Sequence, residues 1–292
     1  MGRTRTALGP RVRLAAAAAI LVVLAVRLGA EPFLDGLAHT DPRALAIALV
    51  VTALSTACCA RRWSLIATGL GVGIPFRDAY RTCYRAQLLN ATLPGGVLGD
   101  VHRGFRHGQD AGAVGRGLLS VVGDRASGQV VQVALVVAAV PLLPPALRGW
   151  VLTVLAALVV VVVVTGFVLA ALRSEAAAAV AGVWPEVLVL SALAASGHVL
   201  VFLVAARTAG VTAPTPRLLA LALLVLLASA VPVSIAGWGP REGAAAWAFG
   251  AAGIGAATGV EVAVVYGIMS LVATLPGIVN GGPAWASGPT SS

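Results

Sequence analysis

Lysine is missing from this chain of 292 residues: its basic side chains number 20 and all are arginine, against 11 acids, for a net charge of +9. Charge of either sign is scarce at 11%, where an ordinary soluble domain carries roughly 25%, so most of the chain has no aqueous surface to cover. Aromatic residues stand at only 5%. The arginines gather at the ends of apolar runs and in one central segment, which argues against a nucleic-acid surface, where they would interleave with aromatics. Cys58, Cys59 and Cys83 cannot form an even disulfide framework and fit no metal spacing, so they read as helix packing. There is no His-Glu-x-x-His, no Gly-x-Ser-x-Gly, no Gly-x-x-x-x-Gly-Lys-Ser/Thr and no carboxylate cluster suited to a metal. No catalytic set, nucleotide hydrolysis or cofactor is therefore expected.

What is present is hydrocarbon, with hydrophobic residues at 59%. A bilayer core about 30 Å thick needs roughly 20 apolar residues per crossing. Apolar runs at 14–30, 44–60, 117–140, 150–172, 187–206 and 258–279 predict six full crossings. They make one domain, 14–280, between a basic tail at 1–13 and a short Gly/Pro/Ser-rich tail at 281–292. Arg3, Arg5, Arg11 and Arg13 precede the first run, which reads as a retained helix because no small-x-small cleavage site follows it. The same arginines predict a cytoplasmic N-terminus in a plasma-membrane protein, with Arg61 and Arg62 returning to that side after two crossings.

Two segments break the pattern. FRDAYRTCYRAQLLN, beginning at Phe76, is too polar to face lipid; it ends in the turn-rich NATLPGGVLGD and resumes as VHRGFRHG. RLLALALLVLLASA, beginning at Arg217, is apolar but spans only about 21 Å at about 1.5 Å per residue before VPVSIAGWGPREG interrupts it. Both predict re-entrant hairpins. Pro94, Gly99 and Arg103 stand at the same mutual offsets as Pro232, Gly237 and Arg241. Three crossings lie between the two breaks, so the hairpins would enter from opposite faces as an inverted repeat, an arrangement common in transporters. The expected fold is an all-α polytopic membrane protein of about six full transmembrane helices plus two re-entrant broken-helix hairpins. A seventh crossing is the alternative for the second hairpin.

The polar residues at these breaks are the candidate site. Arg77, Arg81 and Arg85 recur every four residues, one basic stripe along a helix. It is either an interfacial helix on anionic headgroups or a track that leads a headgroup to a cavity. Around Pro94, Gly95 and Gly96 the backbone must face protein or water, since unpaired amides are not tolerated in hydrocarbon. The helix that restarts there offers N–H groups to a phosphate, and Arg103 adds a bidentate clamp. Alternatively Asp100 caps that helix and pairs with Arg103 or Arg106. Asp124 and Arg125 lie inside the third crossing, where ionisable groups must be paired or hydrated; an ion pair with a hairpin is the plainer reading. In the second break Ser234, Trp238, Arg241 and Glu242 form the corresponding polar set, with Glu261 a further partner for Arg241.

In order, the chain shows Asn90-x-x-Leu-Pro-Gly-Gly-x-x-Gly-Asp100-x-x-Arg103, Asp124-Arg125-x-x-Gly128, Pro232-x-Ser234-x-x-Gly237-Trp238-Gly239-Pro240-Arg241-Glu242-Gly243 and Leu275-Pro276-Gly277. These resemble the transmembrane, flippase-like family of lysylphosphatidylglycerol synthases over roughly 44–280. The resemblance implies a domain that moves a lipid with a polar headgroup between leaflets. It also implies that Asn90, Pro94, Asp100, Arg103, Asp124, Arg125, Arg241 and Glu242 belong to a central cavity. The family's bifunctional members carry a soluble aminoacyl-transferase domain that has no counterpart here, so synthesis of an aminoacylated lipid is not expected. The expected partner is membrane phospholipid. A non-transporting companion of a separate glycosyltransferase or lipid-modifying enzyme, and a membrane-embedded lipid-phosphate enzyme, are the competing readings.

Overall fold

The computed structural model describes residues 22, 26, 29, 31–38, 40–93, 96–156, 182–230 and 238–279. All regular elements among them are helices: α1 (Glu31–Ala38), α2 (Pro42–Gly69), α3 (Phe76–Thr92), α4 (Leu98–Asp110) and α5 (Val114–Ala139). A 3-10 turn at Val140–Leu142 follows, then α6 (Pro145–Ala156), α7 (Trp184–Thr208), α8 (Thr215–Ala228), α9 (Pro240–Ala251), α10 (Ala256–Thr274) and α11 (Pro276–Val279).

Four stretches are long and apolar enough to cross a membrane: Pro42–Gly69, Val114–Leu142, Trp184–Thr208 and Ala256–Ile278. They correspond to the second, third, fifth and sixth predicted crossings, and the chain is a multi-pass, all-helical membrane protein. The predicted crossing at 14–30 lies almost wholly outside the described residues. The one at 150–172 is described only as far as Ala156, within the apolar helix α6. In α10, 56% of the spanning window is buried, against 28% to 33% in the other three, so α10 is the central post. It packs on α1, α2, α7 and α9.

The second crossing is longer than its apolar run. Asp41 accepts from the Arg43 N–H at 2.9 Å and Pro42 starts the helix, which then continues through Arg61 and Arg62 to Gly69. No breaker interrupts Trp63–Gly69. Arg62 is therefore buried within the helix, whereas Arg61 is exposed and pairs with Glu186 at 2.9 Å.

Small residues set the closest helix contacts, as is usual where lipid offers no hydrophobic drive for helices to associate. A Cβ on Gly99 would stand 2.1 Å from the Ala86 carbonyl oxygen, so α4 lies directly against α3. One on Gly117 would stand 2.4 Å from the Gly108 Cα, so α5 lies directly against α4. Between α4 and α5 the chain reverses through Gly112, whose φ of +63° a larger residue would resist. Ala113 N–H closes that turn on the Gly108 carbonyl at 2.7 Å. The result is three helices folded tightly on one another, α3, α4 and α5, the first two too short to cross a bilayer. At 14 residues, or about 21 Å, α8 is also short, but it buries Leu218, Leu221, Ala222, Leu223 and Val225 and sits inside the bundle against α5, α7 and α9.

Candidate functional site

Folding α4 back between α3 and α5 brings five charges from three helices into one chain of ion pairs. Arg62 Nε donates to Asp124 Oδ1 at 2.7 Å, and Arg103 Nη2 donates to Asp124 Oδ2 at 2.6 Å. Arg103 Nε donates to Asp100 Oδ1 at 2.9 Å, and Arg125 Nη2 donates to Asp100 Oδ2. The order is Arg62, Asp124, Arg103, Asp100, Arg125, with signs alternating. The surroundings complete it: Ser191 accepts from Arg62 at 2.9 Å, Cys83 Sγ lies 3.3 Å from Arg103 Nη1, and the Arg103 guanidinium stands 4.7 Å over the Trp63 ring. Trp63 is fixed by its own bond to Ser120 at 2.9 Å and an edge contact with His107. A guanidinium so enclosed needs this set of partners, because burying an unpaired charge costs several kcal/mol.

Asn90 joins the end of α3 to the start of α4. Its Oδ1 accepts from Gly99 N–H at 2.8 Å, and its Nδ2 donates to Asp100 Oδ2 at 2.8 Å. The capping role considered for Asp100 thus falls to Asn90, which satisfies a first-turn amide of α4 from outside the helix. Asp100 is spent on arginines instead.

On the outer side of this network α3 and α4 enclose a cleft of about 220 Å³. Arg81, Arg85, Arg103 and Arg106 line it together with His102, and Asp78 and Asp110 stand at its walls. Two arginines of the predicted stripe therefore open into the same space as Arg103, while Arg77 lies outside the lining. Among the described residues no carboxylate pairs with Arg81 or Arg85.

The second polar set forms a separate cluster. Glu242, wholly buried, accepts from Arg241 Nε at 2.9 Å and Nη2 at 2.6 Å, and its other oxygen accepts from Gly239 N–H at 2.6 Å. It thereby caps α9 from the third helical position. Trp238 and Tyr266 lay their rings 5.1 and 5.5 Å from the Arg241 guanidinium. Gly267 makes room for it, since a Cβ there would stand 2.4 Å from Arg241 Nη2. Among the described residues no side chain is common to both clusters. Pro94, Gly95, Pro232, Ser234 and Gly237 lie outside the described residues, and Gly96 carries a φ of +63° at the turn before α4.

The sequence matches the family described as the lysylphosphatidylglycerol synthase TM region over residues 12–277. The chain belongs to this family. A comparison with curated proteins gives no match. The family match takes in both clusters and the cleft, so the whole site lies within the membrane region the family defines. Among the described residues no group of three or more His, Cys, Asp or Glu is placed to hold a metal.

Sequence reasoning located Asn90, Asp100, Arg103, Asp124 and Arg125 and missed Arg62, Trp63, Ser191 and Cys83. A signal for Arg62 was present: Thr52, Ser55, Thr56 and Cys59 trace a polar line at helical spacing that leads to it. The positive-inside rule claimed the residue first.

Proposed function

We propose that this protein moves a phospholipid, or another lipid with an anionic or phosphorylated headgroup, between the leaflets of the cell membrane. The single observation behind this reading is the basic cleft between α3 and α4, where Arg81 and Arg85 have no carboxylate partner among the described residues. Its volume of about 220 Å³ is below the roughly 300–1,000 Å³ of sites that enclose a whole drug-sized ligand. A headgroup alone fits such a space, with the acyl chains left in the bilayer. Arginine suits the task, because its planar fork matches phosphate oxygens bidentately. Family membership, which ties the chain to lipid-related membrane proteins, supports the same reading.

In this proposal α3 and α4 form one re-entrant hairpin and α8 and α9 the other, entering from opposite faces as an inverted pair, with the N-terminus in the cytoplasm. Arms of 17, 13, 14 and 12 residues are each shorter than a comfortable crossing. Leaflet exchange of fluorescent phospholipid in reconstituted vesicles tests the function. Wild-type protein is expected to accelerate exchange, and the Arg81→Ala/Arg85→Ala variant to lose most of that acceleration. Equal exchange by both proteins would remove the cleft from the mechanism.

A further inference from the structure

Resting on the lipid-phosphate reading, we infer that Asp100 is an internal stand-in for the headgroup phosphate, holding Arg103 and Arg125 until a phosphodiester takes them. The network contains three cations, Arg62, Arg103 and Arg125, and two anions, Asp124 and Asp100. The two acids are placed differently. Asp124 is sealed: its side chain is 3% exposed and its two oxygens are taken by arginines no more than 7% exposed. Asp100, its own side chain 9% exposed, ends the network on Arg125, whose side chain is 52% exposed. Gly99 and Arg103, beside it and one turn along, line the cleft. A headgroup drawn in by Arg81 and Arg85 therefore meets the wall that Gly99 and Arg103 form, the residues that flank Asp100 on α4.

The chemistry of the exchange is balanced. A phosphodiester carries one negative charge on two free oxygens, as a carboxylate does, and accepts from the same pair of guanidinium groups. With Asp100 still present, the phosphodiester brings three cations and two anions from a net +1 to neutral, so the headgroup compensates the surplus cation. Displaced Asp100 keeps the Asn90 amide as a donor. The device also provides for release, which a transport site needs as much as it needs binding. With Asp100 returning to its arginines, the headgroup is competed off; without it, three arginines facing a single acid would retain the phosphate.

The test uses the full chain in detergent, titrated calorimetrically with dihexanoyl phosphatidylglycerol, with dihexanoylglycerol and inorganic phosphate as parallel titrants. The Asp100→Asn protein is expected to bind the phospholipid about tenfold more tightly than wild type and to exchange lipid between leaflets more slowly. Unchanged or weaker affinity, with wild-type binding intact, overturns the stand-in role while leaving the lipid-phosphate reading in place. Wild-type protein that binds phosphatidylglycerol no better than dihexanoylglycerol overturns both. Inorganic phosphate binding as tightly as the lipid overturns the lipid as the source of the anion. Should Asp100→Asn fail to purify folded, Arg125→Gln gives a second reading. Asp100 then closes on Arg103 alone and the phosphate loses a ligand, so affinity is expected to fall about tenfold; an unchanged affinity overturns the proposal.

Discussion

Arg103 and Arg241 are alike in the sequence, each following a glycine-bearing break, each beside an acid, each buried to within 6% exposure. Their surroundings differ in charge and access. Arg241 is closed off by one carboxylate and two aromatic rings in a neutral pair. Arg103 sits in a five-membered network with one positive charge in excess, and it borders a cleft that holds further arginines. A neutral pair of this kind positions a helix: Glu242 caps α9 and Arg241 balances Glu242. A network with surplus cation at an accessible edge is where an anion gains most.

The largest effect that breaks this contrast lies at the centre of the network. Asp124→Asn leaves buried Arg62 with no carboxylate and Arg103 with Asp100 alone, and is expected to cost about 3–5 kcal/mol, read as a fall in the thermal unfolding midpoint in detergent. Gly99→Ala comes next. Its new methyl would run into the Ala86 carbonyl, and the separation of α3 from α4 is expected to cost about 1–3 kcal/mol, seen in the same unfolding assay. Gly250→Ala, whose Cβ meets nothing nearer than 3.5 Å, serves as the tolerant control.

Third in size is the Arg81→Ala/Arg85→Ala pair, expected to weaken binding of short-chain phosphatidylglycerol by about tenfold at low salt and less at high salt, since exposed charges are screened. Calorimetry at two ionic strengths measures this. Smaller still is the joint change Arg241→Met/Glu242→Gln. It removes both charges of the closed pair and keeps an acceptor for the Gly239 amide, so stability is expected to stay within about 1 kcal/mol. A large loss of lipid binding in that variant would erase the distinction between the two clusters. Arg77→Ala, outside the cleft, is expected to change stability and affinity by no more than about 0.5 kcal/mol.

Composition and apolar run length alone carried the membrane class and four of the crossings, because a bilayer core imposes a length and a polarity on any helix that spans it. The polar residues Asn90, Asp100 and Arg241 were legible for the same reason: such side chains are costly in hydrocarbon and stand out against it. The extent of α2 was less legible. Arg61-Arg62 read as the end of a crossing, since nothing local distinguishes an interfacial arginine from one that a distant acid will neutralise.

The partners lay beyond the reach of sequence. The residues joining Arg62 to Asp124, and Asp100 to Arg125, stand 62 and 25 positions apart. Which acid meets which arginine depends on how closely glycines let α3, α4 and α5 approach. Sequence by itself settled that charges would be buried in this bundle. Only the tertiary structure decided that one cluster closes as a neutral pair while the other keeps a surplus cation at a cleft, because pairing depends on distance across helices and not along them.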